Sequence, residues 1–199
     1  IQLNISNGKA AFRGQTGVLR EFVAFIPSNA FSVEKVGMVP NQNVHGAPQP
    51  EMVIVAHPDF LPQAQELASI HQTNSNLRCL VVTTEQVYNE FSSGTPDASA
   101  IRNMMRMFYI RSNGVERDMP RYLLLFGDGS YNNRSPRSGN TNFIPTYQSV
   151  NSIHPSLSYV SDDFFGLLSS NEGNMGEHIS EGLLDIGVGR IPCSSVQEA

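Results

Sequence analysis

Arg121-Tyr122-Leu123-Leu124-Leu125-Phe126-Gly127-Asp128-Gly129-Ser130-Tyr131 decides the fold. Tyr122 to Phe126 is an unbroken apolar run, long enough for a strand and too short for a helix. It stops abruptly at Gly127-Asp128-Gly129-Ser130. A short apolar run bounded by turn residues reads as a strand buried on both faces of a parallel sheet. In such sheets the loops at the carboxyl ends of the strands collect ligands and catalytic groups.

Upstream, Met52-Val-Ile-Val-Ala56 reads as a second buried strand, closed by His57-Pro58-Asp59. Leu61, Ala64, Leu67, Ala68 and His71 then fall on one helical face, with Pro62 in the first turn, where its missing N–H costs nothing. Leu77 to Val82 is the next strand. Thr83 and Gln86 form a capping box that opens a short helix carrying Val87 and Phe91. Thr95-Pro96 starts another helix, with Ile101, Met104, Met105 and Phe108 as its buried stripe and Asn113-Gly114 as its stop. The order β-α-β-α-α-β predicts an α/β fold, a parallel sheet flanked by helices.

Downstream, a long polar loop runs from Asp128 to about Ser156. Loops of that length inside compact domains are usually functional. Ser158 to Leu168 reads as a strand or hairpin arm, Ser169 to Glu177 as a turn, and Leu184 to Ile191 as a last strand. Ahead of the α/β pattern, residues 1–45 read as β structure: Ile1, Leu3 and Ile5 alternate, Ser6-Asn7-Gly8 turns, and Leu19–Phe25 and Phe31–Val39 are further runs. Pro40 to Pro50 reads as a linker. The expected domains are therefore 1–45, the end of a β-rich domain with its linker, and 46–199, an α/β unit. The chain opens without an initiator Met and ends on Ser195-Val196-Gln197-Glu198-Ala199, a capping box with no helix after it. It therefore reads as a piece of a longer protein.

Net charge is −5 with no Lys/Arg cluster, which argues against nucleic acid and anionic membranes as partners. No apolar run approaches the roughly 20 residues that span a bilayer. Few charges beside abundant Gly, Ser and Asn lean toward a secreted or surface protein. Cys79 and Cys193 have neither metal nor redox spacing.

Five places are candidates for chemistry. Asp128 is read two ways: as a turn carboxylate capping its own backbone, or as a Ca²⁺ ligand with other loop oxygens. Asp162 and Asp163 are adjacent on an expected strand, so they point to opposite faces and make no acid/base pair. Either could ligate Ca²⁺ or meet the Asp128 loop, or the two could be a solvated strand start. Cys79, inside an apolar strand, is a small core residue. Cys193 sits near a helix start, where a thiol pKa falls, but a nucleophile needs a base, and His154 and His178 qualify only by being available. His57 reads as a turn residue. A nucleotide site is disfavoured because no phosphate motif follows any strand. From chemistry alone, no catalytic set assembles.

Met52-Val-Ile-Val-Ala-His-Pro-Asp59, Leu80-Val-Val-Thr-Thr-Glu85 through Thr95-Pro-Asp97, Tyr122 to Tyr131, Tyr159-Val-Ser-Asp-Asp-Phe-Phe-Gly166 and Asp185-Ile-Gly-Val-Gly-Arg-Ile-Pro192, in that order, resemble the gingipain family of cysteine peptidases. The resemblance covers roughly residues 40–199 and is nearest to the sortases of the type IX secretion system. It implies the first of two caspase-like α/β subdomains. The family's catalytic His, in a Gly-His-Gly motif, and its catalytic Cys come later, and this sequence has no Gly-His-Gly. Cys193 falls where gingipains carry a Cys that is not their nucleophile. The implied catalytic residues within the chain are therefore none, and the chain alone is expected to be inactive. No cofactor is implied for the chemistry. Structural Ca²⁺ in the family adds weight to Asp128, Asp162 and Asp163. The implied parent acts on the bacterial cell surface, at the outer membrane. It removes C-terminal secretion signals from cargo proteins and transfers the new ends to anionic lipopolysaccharide beside an outer-membrane partner. The rival reading is a non-catalytic interaction module docking cargo or that partner.

Overall fold

The computed structural model describes residues 3–14, 17–35, 37–133, 139, 141–150, 153–154, 156–173 and 182–199. The chain divides into two compact units, Ile1–Pro40 and Asn41–Ala199. In the first, β1 (Leu3–Ser6) and β2 (Lys9–Phe12) form an antiparallel hairpin. Its two-residue turn needs positive φ at both positions, and Asn7 and Gly8 supply it at 51° and 70°. Ile1 lies outside the described residues. The strands expected over Leu19–Phe25 and Phe31–Val39 do not form among the described residues; a short helical turn at Pro27–Asn29 is the regular structure there. Apolar runs become strands only when their backbones are paired, and among the described residues of the unit these have no partner strand.

The second unit is built as the apolar runs require. β3 (Met52–Ala56), α1 (Leu61–Ser75), β4 (Cys79–Thr83), α2 (Thr84–Phe91), α3 (Ala98–Arg111) and β5 (Tyr122–Phe126) follow one another. Later come the short antiparallel pair β6 (Tyr147–Gln148) and β7 (Val160–Ser161), and then β8 (Gly187–Ile191). The main sheet runs β4-β3-β5-β8, all parallel. Alternation along the strands splits the core in two. Met52, Ile54, Ala56 and Phe126 pack with Phe60, Ala64 and Ala68 of the α1 side. Val53, Val55, Leu123 and Leu125 pack with Val87, Ile101, Met104, Met105 and Phe108 of α2 and α3. The expected α3 stripe is fully buried.

The α2 cap and the α3 stop are where the residues predict them, while α3 opens later than the expected Thr95-Pro96. Thr83 Oγ1 accepts the Gln86 N–H at 3.2 Å, and the Gln86 side chain accepts the Thr83 N–H at 2.9 Å. Asp97 caps α3, one residue past Pro96. Asn113 and Gly114 take the positive φ that ends it.

Further segments of the second unit differ from expectation. Residues 41–50 are not a free linker but a strap laid on α2 and α3. The Glu90 carboxylate accepts from Gln42, from the Val44 and His45 N–H groups and from the His45 ring, while Val44 is buried. The arm expected over 158–168 is strand only at Val160–Ser161; Asp163–Gly166 is a helical turn. Phe164 and Phe165 are both buried, and neighbours on a strand would face opposite ways. The last strand begins at Gly187 rather than Leu184. Of the turn expected at 169–177, residues 174–177 lie outside the described residues.

Candidate functional site

The carboxyl ends of β3, β5 and β8 lie side by side, and the site is built there. Gly127 leaves β5 at φ 149°, a conformation a side chain would strain, and an added Cβ would stand 3.1 Å from Phe143. At Gly129 a Cβ would meet Thr146 Cγ2 at 2.7 Å and the Ile144 carbonyl at 3.0 Å. Both glycines therefore let the loop after β5 double back on itself. The return segment is anchored: Ile144 is fully buried, and its N–H donates to the Asp128 carbonyl at 3.0 Å.

Arg190 joins these pieces. It sits on β8 opposite Leu125, on the α2/α3 face, with its side chain 12 % exposed. Its Nε donates to Asp162 Oδ2 and its Nη2 to Asp162 Oδ1, both at 2.8 Å. Nη1 donates to the carbonyls of Gly127 at 2.9 Å and Ile144 at 3.0 Å. Nη2 also reaches the Pro145 carbonyl at 3.3 Å. All the N–H groups of the guanidinium fork are thus aimed at oxygen. A buried cation is tolerated only when paired in this way.

The three expected metal ligands do not converge. Asp128 Oδ1 accepts the N–H of its own neighbour Gly129 at 2.8 Å, the turn-capping alternative. Both oxygens of Asp162 face Arg190, and Asp163 is exposed at the start of its helical turn. Among the described residues no group of three His, Cys, Asp or Glu side chains could hold a metal ion. The donor set does not fit Ca²⁺, which needs six or more oxygens about one point.

The thiols are core residues. Cys193 is 2 % exposed beside Phe126 and Ala64, and burial pushes its thiol pKa up. Cys79 is half-buried in β4, and burial raises its thiol as well. His57, after β3, accepts the Asp59 N–H at 3.3 Å and meets Phe143 edge-on, with ring centroids 4.9 Å apart. Burial lowers its pKa. His154 is exposed and accepts the Ser156 N–H at 3.3 Å. His178 lies outside the described residues. An open groove of about 520 Å³, lined by Met52, His71, Leu77, Tyr122, Leu124 and Gly187, lies toward the opposite end of the sheet.

Residue-by-residue reading missed Arg190 as a site residue, although the Gly189-Arg190 pair carried the family resemblance. The available signal was a lone cation in an otherwise apolar strand, which demands a carboxylate nearby.

Peptidase family C25 matches residues 45–199 of this sequence. The chain belongs to peptidase family C25. It is similar to dimeric latent PorU from Porphyromonas gingivalis, whose crystal structure it matches with a TM-score of 0.72 and 39 % identity over 86 % of this chain. It spans 16 % of that chain's length. No curated protein matches it. The family is one of cysteine peptidases, and the parallel α/β sheet with a β-rich segment ahead of it is shared with PorU.

Proposed function

We propose that this chain is the scaffold subdomain of a cell-surface sortase of the C25 family. The catalytic His and Cys would come from sequence outside residues 1–199. The observation that carries this reading is the state of Cys193: buried, raised in pKa, and packed among apolar side chains. A nucleophile needs an accessible thiolate and a base within reach.

In the proposed reaction a thiolate elsewhere in the parent attacks the peptide carbonyl ahead of a cargo protein's C-terminal secretion signal. The C–N bond breaks as His gives its proton to the leaving amine, leaving a thioester. An amine on anionic lipopolysaccharide then attacks the thioester and gives its proton to His, and an amide forms as the thiolate leaves. No cofactor enters this chemistry. This chain's residues shape one wall: Arg190 fixes the turn after β5, the Ile144–Pro145 segment and Asp162 as a unit. The reading places the protein at the outer membrane, on its external side, beside cargo and an outer-membrane partner. Among the described residues no helix is long and apolar enough to cross a membrane.

A second reading, a docking module for cargo or that partner, draws on apolar side chains around the carboxyl-end loops. Tyr131 and Val150 are each 80 % exposed, and Val160 is 50 % exposed.

Mass spectrometry of a cargo protein incubated with the intact protein and an amine acceptor tests the first reading. Cargo shortened at its C-terminal signal and joined to the acceptor supports it. Cargo bound but unchanged favours the docking module.

A further inference from the structure

We propose that Arg190 is a built-in cation that organises the loops at the carboxyl end of the sheet, in a cage shaped for a planar guanidinium. Through that cage Arg190 positions the wall at the carboxyl end of the sheet. The positioning half of this inference rests on the scaffold reading above; the cage itself does not.

The five oxygens are of the kind Ca²⁺ takes, two from one carboxylate and three from backbone carbonyls, but they fall short of the six or more that Ca²⁺ needs. The geometry differs. Each oxygen lies 2.8 to 3.3 Å from a guanidinium nitrogen, and the three nitrogens are spread over a plane. Ca²⁺ needs its oxygens at about 2.3–2.6 Å from a single point. An ammonium offers three donors from one atom, so lysine cannot bridge the same set. The cage is also closely fitted. The Asp128 carbonyl holds the Ile144 N–H, and Gly129 leaves so little room that an added Cβ would stand 3.2 Å from Arg190 Nη1. The oxygens come from three segments of the chain, so losing the cation strips one shared partner from all three at once.

The test is chemical rescue in the intact protein. Arg190→Ala should melt well below the wild type, and millimolar ethylguanidinium should restore most of the loss. Ethylurea, planar but neutral, and Ca²⁺ should restore none. Arg190→Lys keeps the charge and stem, so it reads the question even if Arg190→Ala does not fold; it should also melt low and gain nothing from Ca²⁺. Rescue by Ca²⁺, or a wild-type melting point for Arg190→Lys, would overturn the cage. For positioning, the Michaelis constant for a cargo peptide should rise about tenfold in Arg190→Lys, with turnover of the folded enzyme little changed. An unchanged Michaelis constant alongside selective rescue would leave the cage standing and overturn the positioning role. Absence of all peptidase activity in the wild type would instead sink the scaffold reading, while the melting series still decides the cage.

Discussion

Arg190 on β8 holds both carboxylate oxygens of Asp162, the residue after β7, at 2.8 Å across 28 residues of chain. The pair is largely buried, at 12 % and 27 % side-chain exposure. Removing one partner strands the other charge. Asp162→Asn should therefore cost about 3 kcal/mol in urea unfolding, the lower end for a broken buried pair because Asp162 retains some water contact. The double variant Arg190→Met/Asp162→Leu should recover part of that loss, since neither charge is then stranded. A double variant no better than the single one would count against burial as the source of the cost.

Glu90 ties down the strap that precedes β3. Burial alone would raise its pKa, but hydrogen bonds from the Val44 N–H, the His45 ring and N–H, and Gln42 outweigh it and bring it to about 2. A carboxylate depressed from 4.5 stabilises the fold fully above that value, and its contribution is lost as pH falls from about 4.5 towards 2. Protection of the Val44 and His45 amides from exchange, referenced to the intrinsic rate at each pH, should fall across that window. Glu90→Gln should show fast exchange already at neutral pH and cost about 2 kcal/mol. Slow exchange in the variant would mean that the strap is held by something else.

The Thr83 cap gives a smaller effect. Thr83→Ala should cost about 1 kcal/mol, by exposing the first amides of α2. Gly129→Ala should cost more, about 2 kcal/mol, because Thr146 and the Ile144 carbonyl leave no room for a methyl group. Thermal melts of the two variants should rank in that order.

The sheet was legible because its strands are uniform. Met52–Ala56 and Tyr122–Phe126 are apolar on both faces, and only the interior of a parallel sheet accepts that. The α3 stripe and the Thr83–Gln86 box are local patterns and needed no tertiary information. The Leu19–Phe25 run shows the limit: β-type composition does not supply a partner strand. The strap at 41–50 looked like a linker because its anchor, Glu90, lies more than 40 residues away. The Phe164–Phe165 turn was misread because tertiary packing on α3, where Arg102 lies 5.4 Å from the Phe164 ring, overrides local extension. At the site, single carboxylates suggested metal ligands, while the cation that engages Asp162 sat 28 residues on, in a strand that read as plain core.

Cys193 gives the most direct test of the central claim, that this chain supplies scaffold and not the nucleophile. Native protein should resist thiol alkylation at Cys193 until denaturant is added, because the side chain is 2 % exposed and its thiol pKa is raised by burial. The decisive measurement applies a thiol-directed activity probe, with a peptide spanning a cargo cleavage site, to residues 1–199 and to the intact protein in parallel. Labelling and cleavage are expected only in the intact protein, with the label mapping outside residues 1–199. A label on Cys193 accompanied by cleavage in the 199-residue chain would contradict the scaffold claim and place the chemistry here.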